Sequence, residues 1–429
     1  MKIKLDYNNS TIEVNIKQGN VLDVLSPKRV KVSDETEVLR KALSVPHFHF
    51  QSAYFRQSAY FRLHKPPLER FLFDAENVLV ILNDATKPCP TAKILEFLSG
   101  YISGDKFKFL VATGAHRAPT RGDLKLIFGK YFSRFSQALF IHNAKRDEDM
   151  VYIGITSRKT EVYINRLAIE SDKILIIGSV EPHYFAGYTG GRKAIIPGIA
   201  SYKTIEANHR FALSPDATSL KLEGNPVDED IIEGLELFDK EIFSIQVVLS
   251  HNRKIYAAES GNIIDSHLLA LEKVNEVFAA KAENKADIVV TVAKSPWDIN
   301  FYQSQQAIEN GKRILKDSGI LILVSACKRG LGEGHYSEIL FSCRTPQEVI
   351  HKVNTEPYKL GAHKAKRIAE LASRSEFWAA TGLPDEKVKK MFIKPYHNIQ
   401  QAIDDAIAIK GKKATISFLL DGATTVPVV

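Results

Sequence analysis

Short, nearly uninterrupted apolar runs recur along the chain at 78–82, 107–112, 138–141, 174–177, 288–292, 320–324 and 415–420. Runs of this length, apolar at successive positions, suit strands covered on both faces. Between them, apolar residues fall at three- and four-residue spacing over 91–99, 204–211, 264–278 and 303–316, which predicts amphipathic helices. Strands alternating with helices predict an α/β protein with largely parallel or mixed sheets flanked by helices.

A chain of 429 residues exceeds the size at which one core keeps growing. The charged segment Lys281-Ala-Glu-Asn-Lys-Ala-Asp287 separates a long helical stretch from a new strand. A boundary there predicts an N-terminal α/β domain over 1–280 and a C-terminal one over 286–429, with the active site in the cleft between them. The exact six-residue repeat at 51–56 and 57–62 is too short for a solenoid unit and reads as a local duplication in a surface helix or loop.

Several predicted strands run straight into polar loops: Asn83-Asp-Ala-Thr-Lys-Pro-Cys-Pro90, Thr113-Gly-Ala-His-Arg117, Gly178-Ser-Val-Glu-Pro-His-Tyr184 and Ala293-Lys-Ser-Pro-Trp-Asp298. Open α/β sheets place ligands at the carboxyl ends of their strands, so these loops point to a shared cleft.

Hydrophobic residues at 45% and charged residues at 25% match a folded globular chain and argue against extensive disorder. The net charge of +8 is spread out. Short basic runs such as Lys364-Ala-Lys-Arg367 read as solvated helix faces, and no basic stripe with interleaved aromatics argues for nucleic acid. Three scattered cysteines exclude a disulfide framework or a four-cysteine metal site. A charged N-terminus and the lack of an 18-residue apolar window leave nothing to direct the chain to a membrane, so a reducing cytoplasm is expected.

The densest chemistry lies in Glu181-Pro-His-Tyr-Phe-Ala-Gly-Tyr-Thr-Gly-Gly-Arg-Lys-Ala-Ile-Ile-Pro-Gly198. Gly190 and Gly191, with Arg192 and Lys193, have the makings of a phosphate cradle, although the spacing is not that of a Walker A loop and Ala194 stands where its Ser or Thr belongs. A Gly-rich turn packed by Tyr184, Phe185 and Tyr188 is the structural alternative. His116, His183 and His209 occupy polar or Gly-rich loop contexts or a helix, and three together argue for a functional cluster.

These residues resemble the nickel-dependent lactate racemase family, most specifically over 182–197. The resemblance implies nickel and a pyridinium-3-thioamide-5-thiocarboxylic acid mononucleotide, the nickel-pincer nucleotide, attached covalently at Lys193 and made by dedicated cofactor synthesis proteins. It implies His209 as the nickel ligand, His116 and His183 as the catalytic pair, and Asp84, Thr86, Gly190, Gly191 and Arg192 as cofactor-binding. Inverting C2 of a small 2-hydroxy acid by a returned hydride avoids a carbanion and needs one base per enantiomer. No loop reads as GxGxxG, which fits a hydride that never leaves on NAD.

Two positions depart from the family. Lys87 stands where an arginine contacts substrate, keeping the charge but losing the planar fork. In Asp298-Ile-Asn-Phe-Tyr-Gln303, Tyr302 and Gln303 match substrate-binding positions, but Gln306 replaces a substrate-binding lysine. The expectation is a substrate other than lactate, such as a sugar acid that hydrogen-bonds Gln306. The competing readings are a zinc hydrolase using the three histidines with Asp84, and a non-enzymatic binder of a nucleotide or anionic metabolite.

Overall fold

A computed structural model describes residues 1–8, 10–44, 67–332 and 334–429; the tandem repeat at 51–62 lies outside the described residues. Two six-stranded sheets organise the chain. The first runs in the order Ile255–Asn262, Glu241–Leu249, Lys173–Ser179, Val78–Asn83, Phe107–Ala112, Leu139–Ile141. Its neighbours are parallel except the antiparallel pair Glu241–Leu249 and Ile255–Asn262. The second, parallel throughout, runs Lys394–Tyr396, Glu376–Thr381, Leu315–Ser325, Ala286–Val292, Ile416–Leu419, Val21–Leu25. The α/β architecture with parallel and mixed sheets is the one expected.

The unbroken apolar runs have their reason in this arrangement. In Val78–Asn83, Val78, Val80 and Leu82 enter one core while Leu79 and Ile81 enter another, because successive side chains of a strand point to opposite faces. Both faces are covered, so no polar alternation survives. The chain leaves Val78–Asn83 toward Phe107–Ala112 on one side and returns to Lys173–Ser179 on the other. The reversal of order opens a crevice at the carboxyl ends of these strands.

The beginning of the chain packs with the second sheet. Val21–Leu25 pairs with Ile416–Leu419, and Ile3, Leu5, Val14 and Ile16 of the first hairpin share a core with Ile288, Val290 and Trp378. Residues 2–25 therefore lie with the C-terminal half although they fall within 1–280. Ala279–Lys281, at the charged junction, pairs with Val426–Val428.

Two local expectations are corrected. The helix expected over 303–316 is Phe301–Lys312, because Leu315 begins the strand Leu315–Ser325 and pairs with Ala286. The basic run at 364–367 is not a solvated face: in the helix Ala362–Arg374, Lys364 is buried and donates to Tyr302 O at 2.7 Å. Arg367 bonds Glu309 Oε2 at 3.1 Å, Ala212 O at 2.9 Å and Ala217 O at 2.8 Å, tying this helix to the first half of the chain. Among the described residues no helix is long and apolar enough to cross a membrane.

Candidate active site

A cavity of 190 Å³ lies at the crevice. The loop after Val78–Asn83 contributes Asp84 and Lys87, and the loop after Phe107–Ala112 contributes Thr113 to His116. The loop after Lys173–Ser179 brings His183, Gly190 and Lys193, and the helix Tyr202–His209 ends on His209. The second sheet's side supplies Tyr302, His335 and Leu360.

His116 is oriented by a carboxylate. Its Nδ1 lies 2.8 Å from Asp84 Oδ2, while Asp84 Oδ1 accepts from Thr86 N at 3.1 Å and Thr86 Oγ1 at 2.7 Å. Burial pushes the Asp84 carboxyl up, but the charge and hydrogen bond of His116 and the Thr86 hydroxyl outweigh it and hold the group below the usual carboxylate range. An ionised Asp84 takes the Nδ1 hydrogen, which leaves His116 Nε2 with a lone pair. Thr86 thus acts on the carboxylate and not on the cavity, whose wall it does not reach.

His183 is set the opposite way. Its Nδ1 accepts from the Ala186 backbone N–H at 3.2 Å, so the neutral ring carries its hydrogen on Nε2. Burial, then the charges of Lys193 and Lys87, keep it well below the usual imidazole range. The ring stacks on Tyr184 and meets Phe185 edge to face.

Lys193 Nζ makes no hydrogen bond or ion pair with the described residues and lies 5.4 Å from the centre of the Phe185 ring. Burial first, then Lys87 and Arg192, pushes its amine well below the usual lysine range. Lys87, itself lowered by burial, sits 5.0 Å from the centre of the Trp297 ring. An amine with less proton affinity and no partner is a nucleophile in waiting. His209 Nδ1 is buried without a hydrogen-bond partner, and burial, Lys193 and His116 drive the imidazole down to about 3. A neutral imidazole with an uncommitted nitrogen suits a borderline metal such as nickel.

Other sequence-selected residues hold the site from behind. Arg192 does not line the cavity; it is buried and pairs with Asp228 and His267. A guanidinium this deep must be paired, so it anchors the loop that presents Lys193. The cradle amides are also committed: Gly191 N donates to Gln246 Oε1 at 2.9 Å and Lys193 N to Gly190 O at 3.1 Å. Gln303 and Gln306 likewise stay out of the cavity wall. Gln306 Nε2 donates to Pro182 O at 3.0 Å and Ala423 O at 2.6 Å, bridging the two halves of the chain.

Asp228, Gln246, His267 and Leu360 carried no sequence signal, because each reaches the site from a distant segment, and His335 is marked in the sequence only as the end of a Gly-rich stretch that reads as a connector or a domain-closing loop. His363 is another: its Nδ1 meets Tyr358 OH at 2.7 Å and its Nε2 meets Tyr184 OH at 3.2 Å, a buried link behind His209. The three-histidine zinc reading finds no support, since among the described residues no group of three or more His, Cys, Asp or Glu could hold a metal ion.

A model described as the lactate racemase N-terminal domain matches residues 7–219, and one described as the lactate racemase C-terminal domain matches 281–427. Lactate racemase of Thermoanaerobacterium thermosaccharolyticum is 30% identical over 442 residues, covering 99% of this chain and 98% of its own length. Lactate racemase of Lactiplantibacillus plantarum is 28% identical, covering 98% of each. The solved lactate racemase apoprotein from Thermoanaerobacterium thermosaccharolyticum superposes with a TM-score of 0.89 at 27% identity, covering 100% of both chains. A Thermotoga maritima protein shares the fold, with a TM-score of 0.66 at 17% identity over 84% of this chain and 96% of its own.

Proposed function

The chain belongs to the lactate racemase family and is an isomerase of 2-hydroxy acids; we propose that it inverts C2 by hydride transfer with a nickel-pincer nucleotide held at Lys193 and His209. The observation that carries this reading is one cavity wall bearing a deprotonation-prone amine and a neutral imidazole whose Nδ1, like that amine, has no hydrogen-bond partner among the described residues, beside the carboxylate-backed His116. Lys193 would hold the nucleotide covalently and His209 its nickel. When bound, the group supplies an electrophilic carbon that takes up and returns the C2 hydrogen as hydride.

The chain's own residues handle the proton. His116 Nε2, freed by Asp84, accepts the C2 hydroxyl proton of one enantiomer. His183 presents Nε2–H to the same oxygen and stabilises it as it becomes a carbonyl. For the other enantiomer the roles exchange: His183 is the base, in the tautomer that carries its hydrogen on Nδ1 and leaves Nε2 to accept the hydroxyl proton. Lys87 offers a positive charge to the substrate carboxylate as a point charge and not a fork. With Gln306 neutral and spent on backbone carbonyls, the site lacks a second fixed cation at that position, which favours an acid other than lactate.

Production together with the cofactor synthesis proteins, in the cytoplasm where we place the enzyme, should yield nickel and an added mass on the peptide containing Lys193. The Lys193→Ala variant should lose both that mass and racemisation. A folded wild-type chain with Lys193 unmodified under those conditions would sink the reading.

A further inference from the structure

The groups that act at C2, His116, His183, Lys193 and His209, all line the cavity from the first sheet's side. A substrate whose C2 faces them turns C3 and the atoms beyond it toward the opposite wall, built by Tyr302, His335 and Leu360. Leu360 offers no hydrogen bond. The Tyr302 ring is covered by Lys364, whose Nζ lies 3.6 Å from the ring centre. His335 adds an imidazole whose Nδ1 is turned to Glu338 Oε2 at 3.3 Å and whose other ring nitrogen has no hydrogen-bond partner among the described residues.

His335 is also held in place. It follows a Gly-rich loop laid on the start of the helix Phe301–Lys312: Phe301 N donates to Gly330 O at 3.1 Å, Tyr302 N to Leu331 O at 2.9 Å and Arg329 N to Ile299 O at 2.7 Å. At Gly332, with φ +92, a Cβ would stand 2.7 Å from Tyr302 Cβ, so only glycine lets the loop lie this close. The loop that leads to His335 is thereby laid against Tyr302 as far as Gly332.

Resting on the reading above, we infer that His335 sets specificity at C3, selecting 2-hydroxy acids that carry a further hydroxyl there. Neutral or protonated, the second ring nitrogen of this cavity-lining residue can form a hydrogen bond to a hydroxyl and none to a methyl. Gln306, to which the sequence pointed for this task, is committed elsewhere.

Glycerate and lactate differ only by that hydroxyl, and their kcat/KM ratio on the holoenzyme is the test. The wild-type enzyme should favour glycerate. His335→Phe should cut the ratio about ten-fold, the worth of one hydrogen bond, and His335→Gln should restore part of it. Should the Phe variant not fold, His335→Ala gives the same comparison. A wild-type preference for lactate, or a ratio that moves less than two-fold, overturns the assignment. Calorimetric binding of the two acids compares their affinities without turnover, so His335 is judged even where neither acid is turned over, while the pincer reading stands or falls separately on nickel and the added mass at Lys193.

Discussion

Asp84 shows how much one contact decides at the scale of a residue. Along the sequence the family resemblance makes it a cofactor-binding residue; in the structure its two oxygens are divided between Thr86 and His116. The consequence is a choice of tautomer, and with it the identity of the free nitrogen in the cavity. Asp84→Asn keeps the shape but no longer demands the Nδ1 hydrogen. It should lower kcat by about 10²- to 10⁴-fold, the usual contribution of a placed base. Attachment at Lys193, read by mass spectrometry, should persist, and the acid limb of the pH–rate profile should move. A collapse of cofactor loading with activity would mean that Asp84 supports the fold and not the base.

At the scale of the element, the segment from Pro182 to Gly198 is a loop made rigid from outside. The Arg192–Asp228 pair, the Gln246 amide oxygen and the His267 ring fasten it to the helices Pro226–Glu236 and Ile263–Phe278 and the strand Glu241–Leu249. Gly191 lies at φ +50, and a Cβ there would stand 2.8 Å from His267 Cβ. Gly191→Ala combines an unfavourable backbone region with overpacking and should cost about 2 kcal/mol or more, visible as a lower urea midpoint. A midpoint equal to wild type would show that the loop yields without loss. Asn300 is a second case of an element accounting for a motif: its side chain accepts from Gln303 N at 2.8 Å as the N-cap of Phe301–Lys312.

For the whole molecule, the telling place is a small cavity between the two sheets, lined by Glu181 from one half of the chain and Asp421 from the other. Glu181 Oε2 and Asp421 Oδ1 are buried without partners. Burial, and then Asp421 working against Lys87, pushes the Glu181 carboxyl up to about 7. An unfolded glutamate titrates near ~4.3, so the folded state holds the extra proton between these values. This carboxyl's contribution to stability is therefore fully present below about pH 4, falls as pH rises toward 7 and is gone above it, a change on the order of 3 kcal/mol. Glu181→Gln should melt higher than wild type at pH 8, with the difference shrinking at pH 5. Parallel melting curves at both pH values would show that the carboxyl is already ionised in the fold.

The strand runs were legible because a strand covered on both faces must be apolar throughout, and 107–112 and 174–177 needed no partner to declare themselves. His116, His183, Lys193 and His209 were legible for a similar reason: each belongs to a local pattern whose chemistry is peculiar to its residue types, and the fold brings all four to one cavity. What the chain order hid was the company each residue keeps. Arg192 and Gln306 looked like ligand-binding groups, and Lys364 and Arg367 like a solvated face, because a charge or an amide in sequence carries no mark of burial. Once buried, each must find a partner, and the partners lie in distant segments: Asp228 for Arg192, Pro182 and Ala423 for Gln306, Tyr302 for Lys364, Glu309 for Arg367. The sequence alone picked out the central strands, the family and a set of candidate reactive residues, but not strands such as Glu241–Leu249, Ile255–Asn262 and Glu376–Thr381; the tertiary structure decided which polar groups line the cavity and which hold the protein together, since desolvation is settled only when distant parts of the chain close over them.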